Sequence, residues 1–198
     1  MSNMLHNKYF QVLELFTGDY LQEVHGRSLV GKIGLSQKTI ALTLDELEKL
    51  DILKSRKAGN MKYFRLNLFN TEMKDFLKIT ELTRKVNFFQ KHRKIAHLFR
   101  EEDKDKIVGI FGSYAQGTAK KDSDLDLFLI GKDKRQKYSQ SGNIFGVEVS
   151  LKFFTEKEFI RLVKEKNPLI KEIIRNHILV YGLENFINLV WRHYYGLN

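Results

Sequence analysis

The chain has 198 residues, 42% of them hydrophobic, enough for one sizeable core or two modest ones, since domains run roughly 50 to 200 residues. It contains no cysteine, which excludes disulfides, thiolate catalysis and cysteine-held zinc or iron–sulfur centres together, and no run of about 18 uncharged apolar residues that would cross a membrane. The net charge of +10 favours a polyanionic partner, but the excess Lys and Arg is spread along the chain and marks no single face. Because the amino terminus lacks a charged-then-apolar leader, a soluble, cytoplasmic protein of two small domains is expected.

Tyr9, Val12, Leu13 and Phe16 recur at helical spacing and predict a first amphipathic helix over residues 7–16. A short second helix is expected over 28–33, with Gly34 turning the chain. Ser36 is placed to cap a third helix whose Ile40, Leu44, Leu47 and Leu50 form one apolar stripe. Residues 52–55 and 61–66 are strand-like and are joined by the polar stretch 56–60, giving a β-hairpin. This order, in the line IGLSQKTIALTLDELEKLDILKSRKAGNMKYFRLN, resembles a winged-helix domain, placed at residues 1–69. The resemblance implies that Gln37, Lys38, Thr39 and Thr43 read a DNA groove and that Lys54, Arg56, Lys57 and Lys62 meet phosphate; the oligomeric state stays open, a homodimer on a two-fold site being the common arrangement of winged-helix regulators. Asp45, Glu46 and Glu48 on the same helix favour the other use of such domains, as protein-contact modules, and both uses stay open.

Residues 70–104 read as a helical connector with Met73, Phe76, Leu77, Leu82, Val86, Phe89, Ile95 and Leu98 at helical spacing, Thr71 as its cap, and a break near Thr80 or Asn87. The charged run 100–106 marks a solvated turn. The second domain, 105–198, alternates strand and helix signals. Strands are predicted at 107–111, 125–130, 143–154 and 178–181, and helices at 156–166, at 167–177 with Asn167 as cap and Pro168 in the first turn, and at 184–195. The fold class is therefore α+β, with a small mixed sheet and carboxy-terminal helices in the second domain.

Residues 107–130 read IVGIFGSYAQGTAKKDSDLDLFLI, a strand, then Gly112-Ser113, a gap, then Asp124-Leu125-Asp126 on the next strand. Gly112 lets backbone amides approach an anion closely, Ser113 adds a hydroxyl donor, and a helix starting there aims its first amides at a phosphate. Strand alternation sends Asp124 and Asp126 to one face while Leu125 and Leu127 turn into the core. Two neighbouring carboxylates repel unless a hard divalent cation lies between them and a substrate phosphate. Turn chemistry alone explains Gly, Ser and Asp in loops, but it does not require two carboxylates inside an apolar strand.

The Gly-Ser, gap and Asp-x-Asp pattern resembles the minimal nucleotidyltransferases of the DNA polymerase β-like superfamily, over residues from about 90 to the carboxyl end. The resemblance implies that Gly112 and Ser113 contact a triphosphate, ATP being the first candidate, and that Ser123 supports the turn. It also implies that Asp124 and Asp126 hold Mg2+, two ions in all, with a third carboxylate from a following strand. Glu148 is the acidic candidate for that place, but Ser150 lies two residues on, toward the same face, and an alignment by flanking apolar residues puts it there instead. Gln116 stands where relatives often carry a basic residue. A separate helical partner protein is also implied. The expected activity is transfer of a nucleoside monophosphate to an acceptor hydroxyl. The alternative is a DNA-binding transcriptional regulator whose second domain only senses nucleotide.

Overall fold

The computed structural model describes residues 7–99, 107–132 and 135–197; the charged run 100–106 lies outside them. The chain divides into two compact units, Met1–Thr83 and Arg84–Asn198, with the boundary inside a long helix at Met73–Lys91.

In the first unit, helix α1 (Lys8–Leu13) starts at Asn7, whose side chain accepts from the Tyr9 amide, and runs on into a 3-10 turn at Glu14–Phe16. The helix expected over 28–33 does not form. A two-residue strand β1 (Val24–His25) and a 3-10 turn at Gly26–Leu29 take its place, because β1 pairs with a later strand and Gly31 and Gly34 adopt φ of 81° and 65°, outside helical space. Helix α2 (Gln37–Lys49) begins where expected, the Ser36 hydroxyl accepting from the Thr39 amide at 3.1 Å, and it buries Ile40, Leu44 and Leu47. Leu50, the last member of the expected stripe, lies beyond the final turn and is exposed.

Asp51 ends α2 in a left-handed conformation, φ 59°, so that the Asp51 and Ile52 amides donate back to the carbonyls of Glu48 and Leu47 at 3.0 Å. The Asn67 side chain donates to the Asp51 carbonyl at 2.9 Å and fastens this corner. Strands β2 (Leu53–Ala58) and β3 (Met61–Leu66) then pair antiparallel with Ala58 opposite Met61. Their connection is Gly59-Asn60 alone, tighter than the 56–60 turn expected. With β1 the sheet order is β1-β3-β2.

Helix α3 (Met73–Lys91) is led in by Asn70, whose side-chain oxygen accepts from the Glu72 amide at 2.8 Å, not by Thr71. The break expected near Thr80 or Asn87 falls at His92. Thr80 is buried with its hydroxyl donating to the Phe76 carbonyl at 2.7 Å, so its polar group is satisfied within the continuous helix. A one-turn helix α4 (Arg93–Ala96) and a 3-10 turn at His97–Phe99 follow.

The second unit is built on strands β4 (Ile107–Ile110), β5 (Leu125–Ile130), β6 (Val149–Phe154) and β7 (Ile178–Tyr181), in the order β6-β5-β4-β7. β4 runs antiparallel to both β5 and β7, and β5 runs parallel to β6. A short helix α5 (Gly112–Gln116) joins β4 to β5, and helix α6 (Arg135–Phe145) makes the crossover from β5 to β6. The strand expected over 143–154 is therefore shorter, and its first part is helix. Tyr138, Gly142 and Phe145 sit at helical spacing, and Gly142 packs so closely on Val147 and Val149 that no Cβ would fit. Its low helix propensity hides this helix from the pattern.

Leu125, Leu127 and Leu129 point to one side of the sheet and pack with Val108, Ile110, Tyr138, Phe88, Ile95 and Leu98. On the other side Phe128 meets Phe111 and Phe186, and Phe154 meets Phe159. Phe111 precedes α5, Phe159 comes from helix α7 (Glu156–Lys164) and Phe186 from helix α9 (Leu183–His193), and between these two helices the chain forms helix α8 (Pro168–Arg175). Lys166 ends α7 left-handed at φ 54°, and Asn167 caps α8 by accepting from the Leu169 amide, as expected.

Gly109 lies directly under Phe128, and a Cβ there would overlap the fully buried ring. Gly109→Ala is expected to destabilise this unit by about 1–3 kcal/mol through overpacking. Urea unfolding followed by the fluorescence of Trp191, the only tryptophan and a buried one, measures it; an unchanged midpoint would mean the ring moves aside freely.

Candidate functional site

At the end of β4 the Phe111 amide donates to the Asp126 carbonyl at 2.9 Å, which holds the β4–α5 junction against β5. The next residue, Gly112, takes φ 66°, and any Cβ on it would collide with the Asp126 carboxylate. Glycine is thus required twice, for its conformation and for the space it leaves. Ser113 follows, half-buried, its carbonyl accepting from the Thr118 amide at 2.9 Å, while Gly117 closes the short helix at φ 71°. The loop to β5 is fixed by Ser123, whose hydroxyl oxygen accepts from the Lys120 amide at 2.8 Å.

β5 begins where the Leu125 amide donates to the Glu148 carbonyl at 2.8 Å. Leu125 and Leu127 are fully buried, while Asp126 is half-buried and Asp124 exposed, as alternation requires. Burial is the main cause that pushes the Asp126 carboxyl above its ordinary value; a hydrogen bond from Ser150 works against it, the charge of Asp124 adds to it, and Lys152 opposes it.

The parallel register places Ser150 opposite Asp126 and Lys152 opposite Phe128. Of the two residues weighed for the third position, Ser150 is therefore the neighbour of Asp126. Glu148 precedes β6, is exposed, and is held through its backbone carbonyl. Among the described residues no three His, Asp or Glu side chains gather as a metal-binding group. Two carboxylate oxygen donors beside a backbone that can approach phosphate suit a hard divalent cation shared with a substrate; the acidic set stops at two. Gln116 reaches over to Glu172 on α8 at 3.5 Å, a long and weak contact. Lys152 was missed in the sequence, although counting two residues on from Ser150 along a strand would have found it.

His92, at the end of α3, stacks near Phe88 at 4.5 Å and meets the edge of Tyr114 at 5.5 Å. Burial, and then the charge of Lys91, lowers its pKa.

In the first unit the residues expected at DNA part company. Gln37 and Lys38 are exposed on the first turn of α2, and Lys57 is exposed on β2. Thr39 is occupied at the cap, its hydroxyl 2.8 Å from that of Ser36. Thr43 is fully buried with its hydroxyl donating to the Thr39 carbonyl at 2.8 Å, so it has no surface to offer. Lys54 pairs with Asp51, and Arg56 pairs with Glu23 and lies 5.1 Å over the Tyr63 ring. Lys62 binds Asp45 at 2.9 Å and Glu48 at 2.6 Å, and its hydrogen bond is the leading cause that holds the Glu48 carboxyl below its ordinary value. The acidic residues of α2 thus neutralise a cation of the hairpin.

Residues 93–185 match the family model described as "Polymerase beta, Nucleotidyltransferase". A protein of Methanocaldococcus jannaschii, "Putative protein adenylyltransferase MJ1305", is 30% identical over 103 residues, which cover 46% of this chain and 66% of that protein, just under two thirds of its length. No solved structure matches the chain at a significant level. The two matches support the nucleotidyltransferase family, and the family model falls on the segment that carries Gly112, Ser113, Asp124 and Asp126.

The raised Asp126 pKa couples folding to pH. The folded chain holds this proton more tightly than the unfolded one, so the associated stability is full below the unfolded value of about 3.9 and is lost as pH rises through the folded value. In metal-free buffer Asp126→Asn is therefore expected to stabilise the protein at about pH 7 and to lose that advantage toward about pH 3.5. Urea midpoints at the two pH values measure it, and a variant less stable than wild type at neutral pH would contradict the assignment.

Proposed function

We propose that the Arg84–Asn198 unit transfers a nucleoside monophosphate from a nucleoside triphosphate, ATP first, to an acceptor hydroxyl. The observation that carries this reading is the seat of Asp126, its carboxylate resting on Gly112, which takes φ 66° and leaves no room for a side chain. The family match over this segment supports it. The Methanocaldococcus jannaschii relative is named for transfer to protein, which makes a protein hydroxyl the first acceptor to try.

Each residue then has a task. Gly112 and Ser113 bring backbone amides and a hydroxyl to the triphosphate oxygens. Asp124 and Asp126 would hold Mg2+, which when bound neutralises triphosphate charge and makes the α-phosphorus more electrophilic. Ser123 keeps the turn before Asp124 in shape through its bond to Lys120. The acceptor oxygen bonds to the α-phosphorus as the bond to the pyrophosphate oxygen breaks, pyrophosphate leaves with that electron pair, and the acceptor's proton passes to solvent.

The Met1–Thr83 unit is proposed as a winged-helix module that meets DNA through Gln37 and Lys38 on α2 and through Lys57 on the hairpin. Thr43 is buried, and Lys54, Arg56 and Lys62 already hold carboxylates. A second reading, a DNA-binding regulator that senses nucleotide without turnover, is favoured by Ser150 standing beside Asp126 where a third carboxylate would complete the site.

Incubation with α-labelled ATP, Mg2+ and candidate protein, RNA and small-molecule acceptors separates the two. Transfer that drops by at least about 100-fold in Asp124→Ala/Asp126→Ala supports the enzyme; transfer that survives the double change sinks the site. For the first unit, Lys38→Ala and Lys57→Ala are each expected to lower the salt slope of DNA binding by about 1. A gel shift absent from all DNA at low salt would return the unit to the protein-contact role.

A further inference from the structure

The β5–β6 register fixes which side chains share a face with the two aspartates. Asp126 stands beside Ser150, and Phe128 stands beside Lys152. Because side chains alternate along a strand, Ser150 and Lys152 lie on one side of β6, the side of Asp126 on β5. The member of that row opposite Asp126 is a hydroxyl. A neutral hydroxyl is a poor substitute for a carboxylate as a magnesium ligand, since it brings no charge against the second cation's hydration. Lys152, exposed on the same row, brings a fixed positive charge.

Two cations about 3.5–4 Å apart need bridging carboxylates to offset their mutual repulsion. Here Asp126 is the one carboxylate on β5 and Asp124 immediately precedes that strand, and no third acidic side chain joins them among the described residues. A lysine on the same face adds to the repulsion that a second cation would meet. We propose that this is a one-cation nucleotide site, in which Asp124 and Asp126 hold the divalent ion of the incoming triphosphate, Ser150 positions Asp126, and Lys152 supplies the positive charge that a second ion would otherwise bring. The inference rests on the nucleotidyltransferase reading of the same residues. It departs from the two ions that the family resemblance implies.

The test is equilibrium dialysis of the full chain against Mn2+ and α,β-methylene-ATP, which cannot be cleaved at the reacting bond, counting retained metal and nucleotide. Wild type, Ser150→Ala and Glu148→Gln are each expected to retain one Mn2+ per bound nucleotide. Ser150→Asp is expected to retain two, and Lys152→Ala to weaken nucleotide binding by about two- to fivefold. Circular dichroism identifies any variant that fails to fold, and the wild-type count stands without the variants. Two Mn2+ per nucleotide in wild type would overturn the inference, and a fall to one in Glu148→Gln would then name Glu148 as the missing ligand. A single ion in folded Ser150→Asp would overturn it as well. Nucleotide not retained by wild type, or retained equally by Asp124→Ala/Asp126→Ala, would instead overturn the nucleotidyltransferase reading itself.

Discussion

The second unit is organised around one close approach, the Asp126 carboxylate lying on Gly112. It is possible only because residue 112 has no side chain and takes φ 66°, and because the Phe111 amide is tied to the Asp126 carbonyl at 2.9 Å. The same strand buries Leu125, Leu127 and Leu129 on its other side, so the backbone that carries the carboxylate cannot shift without moving the core. A charged group is thereby kept half-buried, at a cost to folding that burial imposes and Asp124 increases. Sites that keep such a cost commonly do so for a ligand that relieves it.

Much of this was legible because short motifs and strong periodicities coincided. Asp124 and Asp126 flank a leucine inside an apolar run, and strand alternation alone puts them on one face. Ser36, Asn167 and the Ile40, Leu44 and Leu47 stripe were equally readable, since caps and apolar stripes act within one helix. The misses have a shared cause. Whether Glu148 or Ser150 neighbours Asp126 depends on the register of two parallel strands separated by a crossover, which no local pattern encodes. The helix before β6 was concealed by Gly142, which weakens the helical pattern while serving a tight contact with Val147 and Val149. β1 is two residues long and exists only through its pairing with Phe64 and Tyr63.

The first unit teaches a related lesson about charge. Lys54, Arg56 and Lys62 all read as phosphate ligands along a hairpin, yet each meets a carboxylate from elsewhere in the unit. Such exposed pairs contribute little to stability. Their effect on function is larger, because a cation engaged with Glu48 or Glu23 must be released before it can meet phosphate. A net charge of +10 thus overstates the positive surface available to a polyanion.

Under the proposed function a nucleoside triphosphate and a divalent cation bind at the junction of β4, α5 and β5. Hydrogen exchange of the full chain, with and without Mg2+ and a non-hydrolysable ATP analogue, addresses it most directly. Slowed exchange is expected at the amides of Gly112, Ser113 and Tyr114 and around Asp124 to Asp126, with the Met1–Thr83 unit unchanged. Protection elsewhere with none at these amides would contradict the account.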